Sequence, residues 1–394
     1  MNPLLGLIYH WLGGLASASF YIPYRGVKKW SWETYWLVGG FFSWIIAPWV
    51  LAFLLVPGVP GILQATSGKV LFWAYFFGAM WGIGGLTFGL TMRYLGIALG
   101  MAVALGYCAA FGTLMPPIFN GEFGKILGSD SGRMILFGVL ACLIGIGVSG
   151  LAGMSKEREL SAEEKAATVK EFSFGKGMLT ATFSGIMSSC FAYGLAAGKP
   201  IAMLAKAQLL ATGGSDLWQN LPVLVVVLLG GFTTNFIWCV ILNLKNRSSH
   251  EYLNLRRTIT AELSAAEGMV LSDAPEEVSA AGSHGAPAGN SAQSAAAPLL
   301  SNYVFSAIAG VTWYLQFFFY SMGQTKMGKY DFSSWTLHMA SIIIFSTLWG
   351  IVLHEWKGTS KRTHVLIAVG LIVLIGSTII VGYGNYLGAQ AAAR

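Results

Sequence analysis

Two histidines stand inside otherwise apolar stretches of this 394-residue chain, His10 in LLGLIYHWLGG and His338 in YDFSSWTLHM. An ionisable group in hydrocarbon is expensive and is kept mainly where it works. Histidine titrates near neutral pH, so either ring could take up a proton on one side of a membrane and release it on the other. Asp331, just ahead of the His338 run, is a third candidate for that proton, or else a cap for the helix that follows. The run VTWYLQFFFYSMG offers a different chemistry. Trp313 and Gln316 are three residues apart and share a helix face. An aromatic plate beside an amide suits a sugar, whose C–H faces stack while its hydroxyls need hydrogen bonds. Tyr314 in the same run, and Trp81, Tyr21, Thr87 and Asn235 elsewhere, are candidates of the same kind. Each has a plain structural alternative: an interhelical hydrogen bond for the polar groups, lipid contact for the rings.

The elements that must position these residues are transmembrane helices. The chain is 55% hydrophobic and only 10% charged, against about 25% charged in soluble domains. Apolar runs long enough to cross a bilayer recur along most of its length. The pattern predicts an all-α polytopic membrane protein of ten spans: 4–24, 35–56, 70–92, 95–115, 132–152, 176–197, 220–243, 303–323, 334–353 and 364–387. Loops after odd-numbered spans, counted with Lys176 at the very edge of the sixth span, hold 16 of the 24 Lys and Arg residues. The positive-inside rule then puts those loops in the cytoplasm and both termini outside. Ten spans divide into two halves of five, and an odd number per half inserts the halves in opposite orientations. That is the plan of inverted-repeat transporters, whose substrate site lies near the midplane between the halves.

The expected organisation is an N-terminal five-helix repeat (1–153), a charged cytoplasmic linker (154–175), two helices of the second repeat (176–244), a flexible cytoplasmic insertion (245–302) and the last three helices (303–394). Between Ser279 and Pro298, 17 of 20 residues are Ala, Gly, Ser or Pro, too little apolar surface to order the segment. Gly78, Gly82, Gly85 and Gly89 fall on one helical stripe, and Gly96 and Gly100 follow across a short turn. Such a stripe lets a neighbouring backbone approach closely. Glu33, within KKWSWE, reads as a partner of the adjacent basic residues, and Lys199 as an interfacial lysine.

Several function classes find no support. The net charge of +7 is spread among loops rather than gathered in a patch, which argues against nucleic acid as a partner. The GxGxxG at Gly145, Gly147 and Gly150 lies inside an apolar span and lacks the strand a dinucleotide site needs. No Walker A, HExxH, GxSxG or CxxC sequence occurs. The four cysteines lie singly, with no metal-ligand spacing. Neither an enzyme nor a metal site is expected.

The segments FYIPYRGVKKWSWETYW (20–36), FGAMWGIGGLTFGLTMRYLG (77–96), GTLMPPIFNGEF (112–123), WYLQFFFY (313–320) and YDFSSWTLHM (330–339) resemble the bacterial L-rhamnose–proton symporters of the drug/metabolite transporter superfamily. The resemblance spans nearly the whole chain except 245–302. It departs from the family pattern at Gly85 and Thr87, where stronger hydrogen-bonding side chains are expected after WGIG. It implies two inverted five-helix repeats in the bacterial inner membrane and uptake of a 6-deoxyhexose driven by proton entry. No cofactor is implied beyond the proton gradient, and no partner beyond sugar, proton and lipid. Two other readings stand beside it: an exporter or exchanger of another small metabolite, and a transport-inactive sugar sensor signalling through 245–302.

Overall fold

Helices account for almost all of the residues that the computed structural model describes, which are 2–159, 173–253 and 297–393. Among those residues there is no strand. The long helices are α1 (Pro3–Ser19), α2 (Trp32–Leu55), α3 (Gly68–Leu95), α4 (Ile97–Phe119), α5 (Asp130–Glu159), α6 (Phe174–Ala197), α7 (Leu221–Lys245), α8 (Leu299–Gln324), α9 (Ser334–Val352) and α10 (Lys361–Ala393). Nine of them, all but α1, are long and apolar enough to cross a membrane, which makes the chain a polytopic membrane protein. Helix α1 has 17 residues and gives way after Phe20 to the short helix Tyr21–Tyr24. The expected span 4–24 is therefore divided. Pro23 supplies the reason, since it has no N–H for the carbonyl of Ser19 four residues earlier.

The other boundaries follow the expected spans, with informative differences. Helix α5 runs on to Glu159, beyond the hydrocarbon-length segment. There its carboxylate accepts from the backbone N–H of Ser360 at 2.7 Å and from Thr363 Oγ1 at 2.8 Å, at the start of α10. The rest of the expected linker, 160–172, and residues 254–296 of the insertion lie outside the described residues. Gly96, at φ +81°, is the single residue between α3 and α4. Helix α2 contains one π-helical turn, Phe42–Ile46. An additional 13-residue helix, Lys199–Ala211, follows α6.

The principal packing pairs are α1 with α8 and α9, α6 with α3 and α4, α2 with α7 and α8, α7 with α3, α4 with α5, α9 with α10, and α5 with α10. Glycines set the closest crossings. A Cβ at Gly78 would overlap the Val227 carbonyl oxygen of α7, and one at Gly310 of α8 would overlap the Gly39 carbonyl oxygen of α2. Of the expected stripe, Gly82 also meets α7, at Thr234, whereas nothing lies within 4 Å of Gly85. The glycine in contact with α6 is Gly84 instead, against Ser188. The stripe is regular in sequence, but α3 leaves α7 along its length and turns a different edge to α6. Gly89 is half-buried, and a Cβ at Gly100 would lie 3.1 Å from the Thr91 carbonyl oxygen at the end of α3.

Candidate substrate and proton site

A cavity of about 450 Å³ enters the bundle from the end that carries Pro3 and the last turns of α10. Its walls come from α4, α6, α8 and the start of α9, with the Lys199–Ala211 helix along one side. Two features of α4 shape it. Gly112 leaves room for the Trp335 ring, whose Nε1–H donates to the Cys108 carbonyl oxygen at 3.0 Å. Pro116 has no N–H to offer the Gly112 carbonyl, so the cavity wall carries a backbone acceptor that the helix does not use. At the mouth, Lys199 Nζ and Asp331 carboxylate lie 3.5 Å apart, and Glu122, Lys206 and Asp216 also line the wall. Lys199 thus partners Asp331 rather than standing alone at an interface.

Asp331, Trp335 and His338 follow at intervals of four and three, so they descend one face from the mouth, through the cavity wall at Trp335, to the buried ring of His338 behind it. Tyr320 of α8 lies at the floor between the two histidines. Its ring is edge-on to His10 at 5.3 Å and to His338 at 5.2 Å, and 5.7 Å from the Trp335 ring. His338 Nε2 is 3.4 Å from Gln316 Oε1, one turn below Tyr320. The two histidines are accommodated reciprocally. His10 of α1 lies over Gly323 of α8, and the His338 ring lies 3.4 Å from a Cβ built at Gly13 of α1.

Four polar atoms in this cluster are buried without a hydrogen-bond partner among the described residues: both ring nitrogens of His10, His338 Nδ1 and Gln316 Nε2. A buried polar group left unpaired costs about 1–3 kcal/mol, so such a concentration marks a place that expects a polar guest.

The expected site residues divide accordingly. Asp331 lines the cavity, and His10, His338 and Gln316 lie buried behind the Tyr320 and Trp335 rings of its wall. Trp313, Tyr314, Trp81, Tyr21, Thr87 and Asn235 are not among its lining. Trp81 packs edge-on to Phe191 at 5.2 Å and to Phe317 at 5.4 Å, in the aromatic layer beneath the floor. The Trp313 ring lies tilted against Phe20 with centroids 4.1 Å apart, deeper still. Tyr314 is fully buried and Tyr21 half-exposed, 4.0 Å from the Phe20 ring. Thr87 Oγ1 donates back to Ile83 and Gly84 carbonyls at 3.0 and 3.1 Å. Asn235 accepts from Trp36 Nε1 at 3.2 Å and donates to the Gly231 carbonyl at 2.9 Å. Tyr320 and Trp335 were not singled out from sequence. Their signal was spacing: Tyr320 is one turn from Gln316, and Trp335 one turn from His338.

The opposite end of the bundle is shut by a polar latch between the 25–34 connection and the end of α7. Glu33, 4% exposed, accepts from Ser248 Oγ at 2.7 Å and Asn246 Nδ2 at 3.0 Å. Glu251 accepts from the Ser31 N–H at 2.7 Å and Ser31 Oγ at 2.8 Å, and Asn302 exchanges two bonds with the Lys28 backbone. Glu33 therefore finds neutral donors far along the chain, not the neighbouring lysines. Next to it, burial pushes the Tyr252 hydroxyl up to about 12, so it stays a neutral partner of Asn243.

A cavity open at one end, a hydrogen-bonded latch at the other and two histidines buried behind the cavity floor fit a carrier. Comparison with known proteins agrees. The family profile described as L-rhamnose-proton symport protein matches residues 2–274 and 289–387. Relatives from Yersinia pestis (strain Pestoides F) and Yersinia pseudotuberculosis serotype O:1b (strain IP 31758), both named L-rhamnose-proton symporter, are 36% identical over 384 residues. These alignments cover 97% of this chain and 98% of each relative. With a match of that extent across both halves, the chain belongs to the L-rhamnose–proton symport family, whose members are transporters and not enzymes.

Proposed function

We propose that this protein takes up a neutral 6-deoxyhexose, L-rhamnose foremost, together with protons across the bacterial inner membrane. Both termini would be periplasmic, so the cavity of the present structure faces outward. The observation that carries the reading is the cavity floor at Tyr320 and Trp335, whose rings pack against two buried titratable rings, His10 and His338, with Gln316 beside His338. Protonating either ring introduces a charge that needs acceptors. Sugar hydroxyl oxygens supply them, so proton and sugar each favour the other's binding, as symport requires. Asp331, held by Lys199, would pass protons from the mouth. The Phe191–Phe317 stack, 4.6 Å between ring centres, would block passage to the other side until the bundle rearranges.

Alternating access is proposed to arise from two inverted five-helix repeats, with Pro3–Ser19 and Tyr21–Tyr24 together as the tenth span. The packing supports this. Exchanging α1–α5 for α6–α10 turns α1·α8 into α6·α3, α1·α9 into α6·α4, and α2·α8 into α7·α3, and each of these pairs is present. Close-contact glycines repeat as well. Gly6 and Gly14 on α1 have the same eight-residue spacing as Gly177 and Gly185 on α6.

The deciding experiment is uptake of radiolabelled L-rhamnose into proteoliposomes with and without an inward proton gradient. Gradient-stimulated accumulation that a protonophore abolishes is expected. Accumulation of another sugar instead would remove L-rhamnose but keep the carrier. Binding without any transport would favour the sensor. The latch gives a second prediction. Glu33→Ala removes the charged acceptor of the latch, leaving Ser248 Oγ to Asn243 Oδ1 at 3.0 Å and the exposed Asn246 to solvent. Losing hydrogen bonds to a carboxylate costs about 1–3 kcal/mol, which biases the protein toward the inward-facing state. A cysteine reporter at Ala192 in the cavity should then react with an impermeant maleimide from outside at least about fivefold more slowly. An unchanged rate would dismiss the latch.

A further inference from the structure

The π-helical turn Phe42–Ile46 lies deep in α2, away from the site just described. Such turns admit one residue more than an α-helical turn, are rare, and occur mostly at functional positions. This one turns Ser43 and Trp44 into a small, narrow pocket whose other walls include Trp36, Tyr24, Gly310 and Trp313. Ser43 is 1% exposed and Trp44 3%. Ser43 Oγ, Trp44 Nε1 and Trp313 Nε1 are all buried without a hydrogen-bond partner among the described residues. Buried donors are almost always paired, so three orphans around one pocket ask for a guest that another conformation admits.

The pocket holds about 10 Å³ here, room for no more than a water molecule. It is narrowed by ring contacts rather than by bonded polar groups: Phe20 on Trp313 at 4.1 Å, and Trp36 on Trp44 at 6.1 Å. Its walls next to the rings are glycine. A Cβ at Gly40 would meet the Trp44 ring at 2.6 Å. Trp44 is also edge-on to Trp81 at 6.1 Å, and Trp81 belongs to the aromatic layer under the outward cavity. The pocket is therefore the next space along the path, between that layer and the latch.

We propose that this pocket is an exit subsite for the transported sugar, collapsed in the outward-facing state and opened as α2 and α8 part. Its chemistry fits a neutral pyranose: indole faces for the C–H surface, indole N–H and serine O–H for the hydroxyl oxygens. No ionisable acid or base lines it except the Tyr24 phenol, so it discriminates against uronates and sugar phosphates. The inference rests on the carrier reading above and adds a second binding station to it.

The test uses the full-length protein in proteoliposomes exchanging L-rhamnose, with half-saturation measured separately from each face. Trp44→Phe keeps the ring and removes the donor. The ratio of cytoplasmic to periplasmic half-saturation should rise about fivefold, the effect of one lost hydrogen bond. A ratio unchanged within about twofold overturns the subsite. Ser43→Cys gives a readout that does not depend on that variant's folding. In inside-out vesicles it should be alkylated by N-ethylmaleimide above the wild-type background, and L-rhamnose should slow the reaction. Alkylation without sugar protection would mean a merely hydrated pocket, and absence of alkylation a permanently closed one; either result overturns the proposal. Failure of the wild type to exchange any neutral sugar would instead overturn the carrier reading, and the subsite with it.

Discussion

Replacing His338 with alanine is expected to abolish proton-driven accumulation of sugar while sparing sugar exchange across the membrane. His338 is 1% exposed, and its Nε2 lies 3.4 Å from Gln316 Oε1, so the ring and the amide act on the same guest. Removing the ring deletes the titrating group but leaves Tyr320, Trp335 and Gln316 to shape the floor. Accumulation in a one-unit pH gradient, about tenfold for one proton per sugar, should fall to unity. Counterflow exchange, which needs no net proton movement, should persist at about a tenth of the parent rate or more, since one floor contact is worth about a factor of ten. The check is a paired measurement in one proteoliposome preparation, uphill uptake beside counterflow. Full accumulation by the variant would exclude His338 and turn attention to His10, whose two nitrogens have no partner among the described residues.

The spans were legible because hydrocarbon thickness fixes how long an apolar run must be, and charge bias between loops is written directly in the residues. His10, His338, Gln316 and Asp331 stood out as candidates for a related reason, since a costly residue in an apolar run is conspicuous. Their meeting around Tyr320 was not, because it depends on which helices pack. Tyr320 and Trp335 were overlooked because an aromatic ring in a span reads equally well as lipid-facing. Glu33 misled by proximity: basic neighbours in sequence suggested ion pairs, whereas the fold brings Ser248 from the other half. The π turn leaves no trace in composition or period. The glycine stripe was half right, because sequence gives the stripe its period but not the crossing point of its partner.

That crossing point yields a sharp contrast among three glycines. Gly78→Ala and Gly310→Ala each place a methyl group on a carbonyl oxygen of the facing helix, Val227 and Gly39 respectively. The obstruction is backbone, so no rotamer change relieves it and the helices must separate. Overpacking of this kind costs about 1–3 kcal/mol and sometimes more, against a helix-propensity gain for alanine of about 1 kcal/mol. Gly85→Ala meets nothing within 4 Å and receives only the gain. Both crossing variants should therefore lose about tenfold or more of the L-rhamnose exchange rate and melt several degrees lower in detergent. Gly85→Ala should exchange like the parent and melt at the same temperature or slightly higher. The two readouts also separate two roles for the crossings. If α2·α8 and α3·α7 are static packing, exchange and Tm fall together. If they slide as the halves rock, Gly310→Ala should lose more exchange than its Tm accounts for, because the sliding state must pass the same carbonyl again. Parent-like exchange in both crossing variants would show that the close approach is not needed for transport at all.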